Sequence, residues 1–207
     1  MKIFHIIRHQ NNVSLFKEII QICIHSGIGD EAYISSGFFQ EPVPGSYSVS
    51  FDTDSLGRSL MNNSNHITLH FCGIYSNLWY ARFQTFINNL QSTGYYQIFV
   101  NKAPFLQGKT VKPRRKVHAK IFVYQEKGEP LVEIIGSSNF TSHAYGTGHG
   151  YNIEADLVIC NCQRVEDEII KIIRKFDTRH GVMILNYDDT NSVPLIDEMR
   201  WIRDNLF

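Results

Sequence analysis

The chain has 207 residues, 43% of them hydrophobic and 19% charged, enough for one well-buried core and unlike a disordered composition. Lys plus Arg and Asp plus Glu both number 20, so net charge does not point to nucleic acid, and a phosphate-binding face has to come from local clustering such as KPRRK at 112–116. No stretch approaches the ~18 consecutive apolar residues of a membrane span, and the apolar run in MKIFHIIRHQNN is broken by His5 and Arg8. A soluble, cytoplasmic protein with no membrane partner is expected.

Residues 14–26 place Phe16, Ile19, Ile20 and Cys23 at helical spacing ahead of Gly27 and Gly29, which predicts an amphipathic helix with a glycine stop. EAYISSGFF at 31–39 reads as a strand interrupted by Ser35, Ser36 and Gly37, where either a close backbone approach or a simple bulge fits. HITLHFCGI at 66–74 reads as a second strand, and Asn77 can cap a helix whose Trp79, Phe83, Phe86, Ile87 and Leu90 form one apolar stripe. YYQIFV at 95–100 is a further short strand, followed by a basic loop over 101–115.

From Val117 to Val123 the residues alternate, with Val117, Ala119, Ile121 and Val123 on one face and His118, Lys120 and Phe122 on the other, the period of a half-buried strand. His118 and Lys120 then point the same way, roughly 7 Å apart. LVEII at 131–135 returns as a strand and breaks at Gly136-Ser137-Ser138-Asn139. A glycine-rich loop, HAYGTGHG, leads to a strand at 153–159. A helix over 165–176 carries Val165, Ile169, Ile172, Ile173 and Phe176 on one face. A strand VMILNY and a last amphipathic helix with Leu195, Met199, Ile202 and Leu206 close the chain. Strands interleaved with helices predict an α/β sandwich, a mixed β-sheet flanked by α-helices, with residues 1–207 as a single domain.

Phosphodiester cleavage without a metal needs a nucleophile that can leave again, cations and donors around the nonbridging oxygens, and an acid for the leaving oxygen. His118 is a candidate nucleophile whose second ring nitrogen must be held by an acceptor, and Glu154 is a candidate for that acceptor. Lys120 offers a compact positive charge and Asn139 an amide donor. Ser137 and Ser138 add hydroxyls, and Arg114, Arg115 and Lys116 are candidate contacts to the phosphate backbone. Cys23, Cys72, Cys160 and Cys162 lack the paired spacing of a zinc site and read as reduced thiols, so neither metal nor cofactor is expected.

His118-Ala119-Lys120, the segment GSSNFT and then Asn152-Ile153-Glu154 resemble the H-x-K, G-S-x-N and downstream Glu signature of the phospholipase D superfamily. The wording HAK, SSNFT and NIEA is similar to its metal-independent restriction endonuclease branch, as is YISSGFF. The chain departs from the usual pattern at Gln125, where the superfamily often carries an Asp and this branch dispenses with it.

The resemblance implies DNA phosphodiester hydrolysis through a covalent phosphohistidine. Of nine histidines only His118 is followed two residues later by lysine, whereas superfamily sites use two such motifs, so a homodimer with one shared site is expected. Since phosphate contacts carry no base readout, sequence recognition would lie in a separate domain or subunit, or nowhere, leaving a nuclease of low specificity. The rival readings are a phospholipid-hydrolysing enzyme and a non-catalytic nucleic-acid binding module.

Overall fold

Ser14 and Gly27 bracket the first helix as their chemistry dictates. The Ser14 hydroxyl accepts from Lys17 N at 3.3 Å, and Gly27 takes the left-handed conformation, φ 61°, that closes α1 (Leu15–Ser26). The structure is a computed structural model that describes residues 1–8, 14–37, 39, 67–72, 80–92, 97–101, 119–139, 153–176 and 180–186, together with 197, 200, 203 and 204.

The strands are β1 (Lys2–Arg8), β2 (Glu31–Ser35), β3 (Thr68–Cys72), β4 (Gln97–Asn101), β5 (Lys120–Glu126), β6 (Glu129–Gly136), β7 (Glu154–Cys160) and β8 (His180–Asn186). Two further helices are α2 (Tyr80–Ser92) and α3 (Gln163–Phe176). One eight-stranded sheet runs β4-β3-β2-β5-β6-β7-β1-β8. Its β2, β3 and β4 are parallel and every other pairing is antiparallel, so the α/β class with a mixed sheet stands as expected.

Strand β1 is an addition to the sequence reading, which took Lys2–Arg8 only as a broken apolar run. Phe4 and Ile6 face one way with Arg8 in step behind them, and β1 pairs with β7 on one side and β8 on the other. On its other face Ile3 is buried, His5 half-buried and Ile7 exposed, and Arg8 is buried in step with Phe4 and Ile6, so the run does not alternate cleanly.

The main core lies on the helix-bearing face. Phe4 and Ile6, Ala32 and Ile34, Leu69 and Phe71, Phe122 and Tyr124, Val132 and Ile134, and Val158 and Cys160 meet Leu15, Phe16, Ile19, Ile20, Cys23 and Ile24 of α1. Phe83, Phe86 and Ile87 of α2 and Val165, Ile169 and Ile173 of α3 join the same core. The opposite face holds Ile121 and Val123 with Tyr33, Ala119 and Ile135, and Ile3 and Ile159 with Met1 and Leu157. The alternation read along 119–123 therefore sorts the residues correctly. It does not make a half-buried strand, because both faces are apolar there and Phe122 and Val123 are each 0% exposed.

Close approach fixes one glycine in the fold. A Cβ on Gly29 would lie 2.4 Å from Gln125 O and 2.6 Å from the Tyr124 ring, whose hydroxyl accepts from Gly29 N at 2.6 Å. Asn77, Trp79, Leu195, Met199, Ile202 and Leu206, and the side chains of Leu90 and Phe176, lie outside the described residues.

Candidate active site

The order of the strands brings separate segments to one end of the sheet. Ser36 follows the last residue of β2, Lys120 opens β5, Gly136 closes β6 ahead of Ser137–Asn139, Glu154 opens β7 and Arg8 closes β1. Lys120 stands in register with Gly136, Gly136 with Asp156, and Glu154 with Arg8. With strands about 4.8 Å apart, the backbone of Lys120 and that of Asp156 are roughly 10 Å apart, enough to flank a phosphate. Lys120, Glu154, Asp156 and Arg8 all fall in step with core residues of the helix-bearing face, so they share one side of the sheet end. The position lies outside the carboxyl ends of the parallel strands β2, β3 and β4, where open α/β sheets tend to place ligands.

The GSSN segment is tied to β7 by paired contacts. Ser137 N donates to Ala155 O at 3.0 Å, Ala155 N donates to the Ser137 hydroxyl at 2.9 Å, and that hydroxyl donates to Glu154 Oε2. Ser138 N donates to Asp156 Oδ1 at 3.2 Å and its hydroxyl to Oδ2 at 2.6 Å. The Ser36 hydroxyl donates to Asn139 Oδ1 at 3.3 Å, joining β2 to the same turn. Both serine hydroxyls, expected to face a phosphate, thus direct their protons at carboxylates. Ser138 is 1% exposed, whereas Ser137 is open to solvent.

Electrostatics set the cations and carboxylates apart. Burial lowers the Lys120 pKa, and the Glu154 charge pulls it back up. Asp156 is pushed up to about 6, first by burial and also by the Glu154 charge, while its hydrogen bonds from Ser138 oppose the shift. Glu154 and Asp156 are each 6% exposed and Arg8 is 3% exposed. Among the described residues no group of three or more His, Cys, Asp or Glu could hold a metal ion, and no helix is long and apolar enough to cross a membrane.

The structure brings together Lys120, Ser137, Ser138, Asn139 and Glu154 of the expected set. His118, Arg114, Arg115 and Lys116 lie outside the described residues, though Ala119, directly after His118, leads into Lys120 at this sheet end. Three neighbours escaped the sequence reading: Arg8, Ser36 and Asp156. Asp156 carried a readable signal, because in Glu154-Ala155-Asp156 the two carboxylates share a strand face.

Gln125, where the chain departs from the superfamily pattern, is remote from this end. It is 2% exposed, donates to Glu31 Oε2 and accepts from Arg203 at 3.3 Å. Glu31 shares with Tyr33 the face opposite the main core, so the substitution leaves the Lys120 end of β5 untouched.

Solved structures with a similar fold include NucT from Helicobacter pylori, 14% identical over 81% of this chain and 92% of that one, TM-score 0.42. The phospholipase D family member Nuc from Salmonella typhimurium is likewise 14% identical over 81% and 90%, TM-score 0.42. Phosphatidylserine synthase from Haemophilus influenzae Rd KW20 is 9% identical over 98% of this chain and 45% of that one, TM-score 0.45. No curated protein matches the chain. Residues 88–178, a little under half of the chain, match the family described as NgoFVII restriction endonuclease N-terminal PLD domain, a match that supports a phospholipase D-type nuclease. The matched segment contains His118, Lys120, Asn139 and Glu154, and over that segment the chain is similar to the restriction endonuclease branch of the phospholipase D superfamily.

Proposed function

We propose that the chain is a metal-independent DNA endonuclease of the phospholipase D type, of the restriction or defence kind, in which residues 1–207 work as one catalytic domain and two copies share one site. The observation that carries this reading is the gathering of Lys120 and Glu154 on one side of one sheet end, with the turn that carries Asn139 tied to that end, at the mouth of the strand that His118 precedes.

The His118 imidazole attacks phosphorus, forming the N–P bond of a phosphohistidine while the P–O bond to one nucleoside breaks. The departing oxygen takes its proton from the His118 of the second copy, a general-acid contribution of roughly 10²- to 10⁴-fold. Water then attacks phosphorus, giving a proton back to that second histidine, and the N–P bond breaks to release a phosphomonoester and free His118. Lys120 and the Asn139 amide meet the nonbridging oxygens. Glu154, steadied by Ser137, accepts from the far imidazole nitrogen and fixes its tautomer. Arg114, Arg115 and Lys116 bind the phosphate backbone flanking the cut, and a separate domain or subunit reads the bases.

Plasmid nicking in EDTA beside hydrolysis of phosphatidylcholine or cardiolipin vesicles tests the substrate class. Cleaved plasmid with intact lipid is expected, and lipid turnover with intact plasmid overturns the reading. His118→Ala should abolish cleavage while DNA binding persists. A wild-type protein that binds DNA yet never cuts it identifies a binding module instead.

A further inference from the structure

Among the described residues Asp156 is the one carboxylate of this sheet end that the mechanism above does not use. Each of its oxygens receives a donor from the same residue, Ser138 N at 3.2 Å on Oδ1 and the Ser138 hydroxyl at 2.6 Å on Oδ2. The side chain is 6% exposed, and both of its oxygens are occupied by Ser138. Room for it comes from Gly136, where a Cβ would stand 2.0 Å from Asp156 Oδ1 and 2.7 Å from its Cα. On this face β7 continues as Val158 and Cys160, both 0% exposed, so a small apolar residue would suit the position as far as packing goes. A buried carboxylate two residues from another buried carboxylate costs stability, and such groups concentrate where geometry serves a reaction.

The turn it grips ends in Asn139. Ser36 from the β2 end donates to Asn139 Oδ1 at 3.3 Å, which turns the Nδ2 donors of the amide away from Ser36. Ser138 is thus held from β7 and Asn139 from β2, and the amide is aimed by two strands that do not carry it.

We infer that Asp156 is a positioning residue of the site, fixing the Ser137–Asn139 turn through its two bonds to Ser138 so that the Asn139 amide is presented to the phosphate. This role rests on the nuclease reading above. It assigns to Asp156 no contact with substrate and no proton transfer.

The test compares wild-type protein, Asp156→Ala and Asp156→Asn in plasmid nicking, with amide hydrogen exchange at Ser138 measured on the same proteins. Asn keeps an acceptor for Ser138 N and a partner for its hydroxyl, whereas Ala leaves both without one. Asp156→Ala is expected to lower kcat roughly 10²-fold with KM within about threefold, the scale of a misplaced catalytic group. Asp156→Asn should recover most of that rate, and Ser138 exchange should quicken in the Ala variant alone. A folded Asp156→Ala protein with wild-type kcat, or an Asn variant as slow as the Ala variant, overturns the role. If the wild-type protein does not cut DNA, the nuclease reading fails. Exchange still decides the grip in that case, since equal Ser138 exchange in all three proteins refutes it and faster exchange in Ala alone supports it.

Discussion

At the residue scale burial resists charge of both signs in the site, lowering the Lys120 pKa and raising that of Asp156. Asp156 is pushed up to about 6 from an ordinary 3.8, so the folded state holds its proton more tightly than the unfolded chain does. Stability from this group is fully present below the ordinary value, declines as pH rises toward 6, and stays at its lower level above that. Asp156→Asn mimics the protonated form at every pH. It should therefore stabilise the protein above pH 6 by up to about 3 kcal/mol, two units at 1.36 kcal/mol each, with the gain vanishing near pH 4. Thermal melts of both proteins across that range check it, and a pH-independent difference would refute it. Ser36 belongs to the same scale. It is 0% exposed, and Ser36→Ala removes the donor to Asn139 Oδ1. Cleavage should fall about tenfold or more with little change in Tm, since one net hydrogen bond contributes about 1 kcal/mol.

Among elements, the β6–turn–β7 unit concentrates the chemistry and tolerates the least change. Gly136→Ala drives a methyl against Asp156 and against Ala155 O, 2.5 Å from the added Cβ. Overpacking of this kind costs about 1–3 kcal/mol, and here it also displaces the carboxylate that grips Ser138, so both Tm and nicking rate should drop. Arg203 supplies the contrast. It donates to Gly128 O at 2.7 Å and to Gln125 at 3.3 Å, at the sheet end away from Lys120. Arg203→Ala should lower stability by about 1 kcal/mol and leave kcat within error of wild type. A large loss of activity there would mean that the two ends are coupled.

The same unit shows what the sequence made legible. Period-2 alternation sorted Ala119, Ile121 and Val123 from Lys120 and Phe122, and helical spacing found α1 and α3 with their buried faces. Lys120, Asn139 and Glu154 were readable as reactive types at strand ends. Arg8 and Ser36 were not, because each reaches the site only through pairings distant in sequence, β1 with β7 and β2 with β5. Nor could spacing alone reveal that the hydroxyls of Ser137 and Ser138 face carboxylates, since that depends on the register of Gly136 with Asp156. The Gln125 departure read as a feature shared with the nuclease branch, and its bonds to Glu31 and Arg203 set it at the far end of β5.

For the whole molecule the count of motifs is the deciding quantity. In the proposed mechanism a single His118-x-Lys120 motif supplies a nucleophile or an acid in a given step, and that mechanism requires both at one phosphate. If two copies complete the site, co-expressing wild-type and His118→Ala chains yields mixed dimers that lack one of the two histidines. Activity should then follow the fraction of dimers with two intact subunits. At equal expression of the two chains that is about one quarter of the all-wild-type rate, against about one half if each chain works alone. Light scattering fixes the oligomeric state alongside. A linear dependence of rate on the wild-type share, or a fully active monomer, would show that one chain holds a complete site and that a residue other than a second His118 protonates the leaving oxygen.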